Sequence, residues 1–213
     1  MNELTVWHSE VIGQRAAEAL NKNGFNASYV ADRHTAVHAV LERIPTHASV
    51  GIGGSRTTLE LGIVEALEQR GHVLFDHNQA GLTQAERIER RYQQLTCDVF
   101  LTGSNAITLT GEIVNRDAFG NRVAAMMFGP KKVIIIVGIN KIVCDVAEAD
   151  QRIKLYAAPM NNKKYELPNP CLRSGQCSDC KSPQRICNIT TILSRRPPLT
   201  DIHVVILGEN LGF

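Results

Sequence analysis

Cys171, Cys177, Cys180 and Cys187 follow one another as C-x5-C-x2-C-x6-C. A C-x2-C pair lets one turn present two sulfurs to a single ion, and the outer cysteines would complete four ligands. Pro170, Gly175 and Pro183 suit tight turns around such a centre. Two other fates compete: disulfides, which a reducing compartment disfavours, and four unrelated thiols. Structural zinc usually takes two paired knuckles, and only one is present, so the pattern leans toward a [4Fe–4S] cluster over zinc. Cys97 and Cys144 fall in or beside apolar segments and read as small buried hydrophobes.

Two further constellations could bind a ligand. Gly53, Gly54 and Ser55 stand where an apolar run gives way to a helix start, a place where backbone N–H groups face a possible anion. The run is neither a dinucleotide fingerprint nor a Walker loop, so it specifies no nucleotide, and a plain glycine turn capped by Ser55 is the alternative. The second runs from Gly103 through Asn105, Glu112, Asn115, Asp117, Asn121 and Arg122. Arg122 could hold a carboxylate or phosphate, and Asn105 and Asn115 could orient a small polar ligand, although Asn and Asp also close turns on their own backbones. Lys141 follows the most β-rich run and would anchor an anion better than Lys131 or Lys132, which read as solvated charges. Glu112, Asp117 and Lys141 are the catalytic candidates. The histidines lack ligand spacing and read as ordinary.

The elements that must position these groups alternate in type. Helical periodicity predicts a helix capped by Ser9 and running to Asn23, then Thr35 to Arg43, Ser55 to Arg70, Gln84 to Leu95, Asn121 to Met127 and Ala147 to Ala157. Strands are expected at 27–31, 48–52, 73–75, 98–102, 132–137 and 202–207, with a hairpin from 106–109 and 113–115. Pro159 to Pro198 holds six of the eight prolines and four of the six cysteines and reads as an irregular lobe within a single domain spanning 1–213. Such alternation predicts an α/β fold of three layers, with a mostly parallel sheet between helices.

Composition narrows the partners. With 23 Lys and Arg against 21 Asp and Glu, the formal charge of +2 gives no broad reason to expect nucleic acid or an anionic membrane. The first twenty residues lack the pattern of a signal peptide, and no apolar run approaches the ~20 residues of a membrane span. A cytoplasmic protein is expected, and a homo-oligomer is allowed.

The strings LTGSNAITLTGEIVN, GNRVAAMMFGPKKVIIIVGINKIV, PCLRSGQCSDCKSPQRICNIT and LGENLGF together resemble the lactate-utilisation (LUD) domain family, from about Ser49 to Phe213. The resemblance implies a fold like that of the ribose-5-phosphate isomerase, glucosamine-6-phosphate deaminase and CoA-transferase superfamily. It also implies a link to bacterial oxidation of L-lactate beside iron–sulfur partner proteins, and a ligand cleft at Gly53-Gly54-Ser55, Asn105 and Asn115 to Arg122. No repeated C-x-x-C-x-x-C run is present, so the chain resembles the short form. The competing function is a sugar-phosphate isomerase or acyltransferase with Glu112 or Asp117 as base and Lys141 or Arg122 as anion anchor. A non-catalytic subunit with structural zinc is the third.

Overall fold

The chain alternates helix and strand from its first turn, as a computed structural model describing residues 2–213 shows. Helix α1 (Glu3–Lys22) begins on Asn2, whose side chain accepts the Thr5 N–H, so Ser9 is not the cap. Ser9 is instead buried against the core inside the helix. Strand β1 (Asn26–Val30) and helix α2 (Arg33–Glu42, capped by Asp32) follow, then β2 (Val50–Ile52). The helix expected from 55 to 70 is two: α3 (Arg56–Glu60) and α4 (Ile63–Gln69) meet at Gly62, whose φ of +65° lies in the left-handed region open to glycine. Strand β3 (Leu74–Asp76), helix α5 (Gln84–Thr96) and β4 (Val99–Thr102) complete the first half.

The second half holds β5 (Ala106–Thr108), β6 (Ile113–Asp117), α6 (Asn121–Met127), β7 (Lys132–Gly138) and, after a 3-10 turn at Ile139–Lys141, β8 (Ile142–Val143). Helices α7 (Val146–Arg152) and α8 (Ala158–Lys164) are joined by a π turn at Ile153–Ala157. Pro159 explains the turn, since it has no N–H to continue an α-helical ladder. A short α9 (Cys171–Ser174), β9 (Ile189–Leu193) and β10 (Asp201–Leu207) end the chain. The proline-rich stretch is therefore less irregular than its composition suggests, since it contains most of α8 and all of β9.

Six strands form one wholly parallel sheet in the order β1-β10-β7-β4-β2-β3. β7 sits between β10 and β4, and Val133 through Val137 are fully buried. Side-chain alternation splits them: Val133, Ile135 and Val137 pack with Ala16 and Leu20 of α1 and Met126 of α6. Ile134 and Ile136 pack with Val40 of α2 and Ile63 and Leu67 of α4 on the other face. This is the three-layer α/β arrangement expected from the alternation of helix and strand. A second, mixed sheet, β8-β5-β6-β9, carries α7 through Ala106, Val114, Val143, Ala149 and Ile153. Among the described residues, no helix is long and apolar enough to cross a membrane.

Candidate functional site

The carboxyl ends of parallel strands gather backbone N–H groups and loops on one edge, where α/β proteins place ligands. A cavity of about 720 Å³ opens there, between the loops after β2 and β4, the C-terminal end of β6, α8 and the cysteine-bearing segment. Gly53 and Gly54 form its floor, and both positions demand glycine. A Cβ on Gly53 would lie 2.7 Å from Thr102 Oγ1, and Gly54 has φ +72°. Ser55 lines the cavity as well, with its hydroxyl accepting the Thr58 N–H at 3.3 Å as the cap of α3.

Arg122 organises the next wall, and its donors go to the protein itself. Nε donates to Asp117 Oδ1 at 3.0 Å, Nη1 to Asn115 Oδ1 at 2.7 Å, and Nη2 to Asn105 Oδ1 at 3.2 Å and the Arg116 carbonyl at 2.9 Å. The Asn105 and Asn115 side chains also accept the N–H groups of Arg116 and Asn105, tying the loop after β4 to β6. Arg122, Asp117, Asn105 and Asn121 all line the cavity, whereas Asn115 lies buried behind it. Glu112 is not brought in: its carboxylate accepts from the Thr108 and Thr110 hydroxyls and closes the β5–β6 turn. Lys141 does reach the cavity, 5 % exposed, with Nζ donating to Thr57 Oγ1 at 3.0 Å. Burial, then the charges of Arg152 and Arg122, push its pKa down to about 7.

Several contributors were not legible as site residues. Arg87 and Arg91 stand at i and i+4 on α5, so one helix face carries both into the cavity. Arg91 Nε is buried with no partner, and its guanidinium lies 4.8 Å from the centre of the Phe119 ring. Arg56, Arg116, Lys164 and Arg185 add further positive charge to the lining, where Asp117 is the only Asp or Glu among the described residues. Arg56, Arg116, Arg122 and Arg185 each pair with a carboxylate. Among the described residues none pairs with Arg87, Arg91, Lys141 or Lys164. His77 also lines the cavity, its Nδ1 2.9 Å from the Gln94 amide nitrogen, and burial first and Arg91 second lower its pKa. The spacing of Arg87 and Arg91 was the one available signal, but it cannot reveal which side of α5 faces a cavity.

The cysteine segment forms the far wall through Pro183, Gln184, Arg185 and Ile186. It docks on the π turn: with Pro159 lacking an N–H, the Lys154 carbonyl is left over, and the Cys177 N–H donates to it at 2.9 Å. Arg185 clamps the loop, donating to the carbonyls of Cys180 and Cys187 and pairing with Asp179 at 2.8 Å. Cys171 and Cys187 are buried, Cys177 and Cys180 half-buried, and no disulfide joins them. Burial raises the Cys171 and Cys187 thiols, with neighbouring cysteines adding to it. As placed, no three His, Cys, Asp or Glu side chains among the described residues are grouped to hold an ion. Cys97 is buried as expected, with a thiol pushed up to about 11 by burial, but Cys144 is exposed beyond the end of β8.

Comparison with known proteins agrees with this architecture. The crystal structure of a DUF162 family protein from Deinococcus radiodurans superimposes with a TM-score of 0.54 at 16 % identity, covering 93 % of this chain and 98 % of that one. At that identity the likeness concerns the fold. No curated protein matches this chain in sequence. The LUD domain family model matches residues 13–207, nearly the whole parallel sheet and the cavity built on it. The chain belongs to the LUD domain family.

Proposed function

We propose that this LUD domain binds a small anionic metabolite, a carboxylate or a phosphorylated compound, in the cavity at the carboxyl ends of its strands. Family membership supports a role related to lactate utilisation. The observation that carries the ligand reading is the charge of the lining: Arg87, Arg91 and Lys164 lack a carboxylate partner and Arg91 keeps a buried, unpartnered Nε. A buried donor without an acceptor costs about 1–3 kcal/mol, and more for a charged group, which an anionic ligand would recover. The volume lies within the roughly 300–1,000 Å³ of small-molecule sites. The isomerase alternative is less well supported, because Asp117 is committed to Arg122 and Glu112 stands outside the cavity.

Thermal shift with L-lactate, pyruvate, ribose 5-phosphate and inorganic phosphate tests the reading, since a ligand that binds only the folded state raises Tm by mass action. At least one should raise Tm in wild type and do so less in Arg91→Gln. No shift from any of them, or an equal shift in Arg91→Gln, overturns it.

The four cysteines carry a second proposal: a metal centre, [4Fe–4S] favoured over zinc, that would hold the cavity's far wall. Their spacing and common lobe support it. The side chains as placed would have to close around the ion. Anaerobically purified protein should then contain iron and acid-labile sulfide, or zinc, in stoichiometric amount, lost in Cys180→Ser. A metal-free, fully folded protein removes the proposal.

A further inference from the structure

Lys141 is placed unlike an ordinary buried lysine. It ends the 3-10 turn that leaves β7, the central strand, and the residue lines the cavity with 5 % of its surface exposed. The Thr57 hydroxyl, fully buried, accepts one of its hydrogens at 3.0 Å. A lysine kept for structure normally meets a carboxylate once buried. Here the groups that face it are mostly cationic. Arg152, held to the carbonyls of Asn140 and Asn105, and Arg122, held to Asp117, both add positive potential. The carboxylate whose charge reaches it, Glu60, is taken up by Arg56 at 2.8 Å and the Gly212 N–H at 3.0 Å. Burial beside other cations is the arrangement that keeps an amine neutral near pH 7 and leaves its lone pair free.

We propose that Lys141 is a nucleophilic amine that condenses with the carbonyl of an anionic aldehyde or ketone, such as a 2-oxo acid, held in the cavity. The inference rests on the anionic-ligand reading above. The Nζ lone pair attacks the carbonyl carbon, and the carbonyl π electrons move to oxygen, which takes a proton. The resulting carbinolamine loses water, and the nitrogen lone pair forms the C=N bond of a protonated Schiff base. Summed, amine, carbonyl and one proton give iminium and water, with no change of oxidation state. Thr57 is a positioning residue: by accepting one N–H it fixes the direction of Nζ. Arg91, a lining residue with no carboxylate partner, offers the anionic group of the ligand a cation in the same cavity.

The test is reductive trapping of the whole protein with glyoxylate or pyruvate and cyanoborohydride, the adduct located by peptide mass mapping. Glycolaldehyde, a neutral aldehyde of similar size, is the control. One adduct on Lys141 is expected, formed at pH 7 roughly tenfold or more faster than at exposed lysines. Its rate should rise with pH through about 7, fall in Thr57→Val, and be slowed by inorganic phosphate. Adducts spread over surface lysines, with Lys141 unmodified, overturn the proposal. Because the site is mapped on wild type, no Lys141 variant has to fold for this outcome to be read. If Lys141 is trapped equally by glycolaldehyde and phosphate has no effect, the amine chemistry stands and the anionic-ligand reading fails. If anions raise Tm yet Lys141 is never trapped, the opposite holds.

Discussion

Replacing Lys141 by Met removes one ammonium from a buried site while keeping an unbranched chain to fill it, and the consequence can be worked through in pH. In the unfolded chain the amine titrates at its ordinary 10.5, in the folded protein at about 7. Between those values the unfolded state binds more protons, so wild-type stability rises with pH. Below pH 7 both states are protonated and the burial cost is fully felt, about 5 kcal/mol from a shift of this size. From pH 7.5 to 9.5 the linkage relation gives wild type a gain of roughly 2–3 kcal/mol that Lys141→Met lacks. Urea unfolding of both proteins across that window measures it, with other titrating groups cancelling in the difference. Lys141→Met should be the more stable at pH 6, and the two should converge toward pH 10. Parallel stability curves would refute the reasoning, because the amine would then keep its proton on folding.

Three further perturbations probe the scaffold. Arg122→Ala leaves the partly buried Asp117 without its ion-pair partner and takes one donor from each of the amide oxygens that tie β6 to the loop after β4, so a loss of about 1.5–3 kcal/mol is expected in denaturant unfolding. Gly53→Ala puts a methyl group 2.7 Å from Thr102 Oγ1 and 2.9 Å from Phe100 Cζ, and overpacking there should cost about 1–3 kcal/mol in the same measurement. Pro159→Ala restores a helix N–H and lets the π turn relax, so the Lys154 carbonyl no longer needs Cys177. Hydrogen exchange at the Cys177 amide should then speed up roughly tenfold, and unchanged exchange would separate the π turn from the docking of the loop.

Local patterns carried much of the architecture. Period-3.6 stretches and apolar runs bounded by Gly and Pro mark nearly every helix and every strand of the parallel sheet, because those features are set within a few residues of chain. β9 escaped because its Ile-Thr-Thr-Ile-Leu pattern puts Ile192 on an exposed face, without the alternation of a half-buried strand. The Ser9 cap failed because a helix start with Asn2 lay one turn and more upstream and Ser9 turned to the core.

By itself, the sequence determined the α/β class, the glycine floor at Gly53 and Gly54, the polar run from Asn105 to Arg122 and the cysteine spacing, since each is written in neighbouring residues. Only the tertiary structure decided that Arg122 is spent on Asp117 and that Glu112 faces a hairpin turn. It also decided that Arg87 and Arg91 of α5, Lys164 of α8 and Lys141 after β7 share one cavity. Convergence of distant segments, and the desolvation that lowers the pKa of a buried lysine, depend on what surrounds a residue in space, and no local pattern encodes that.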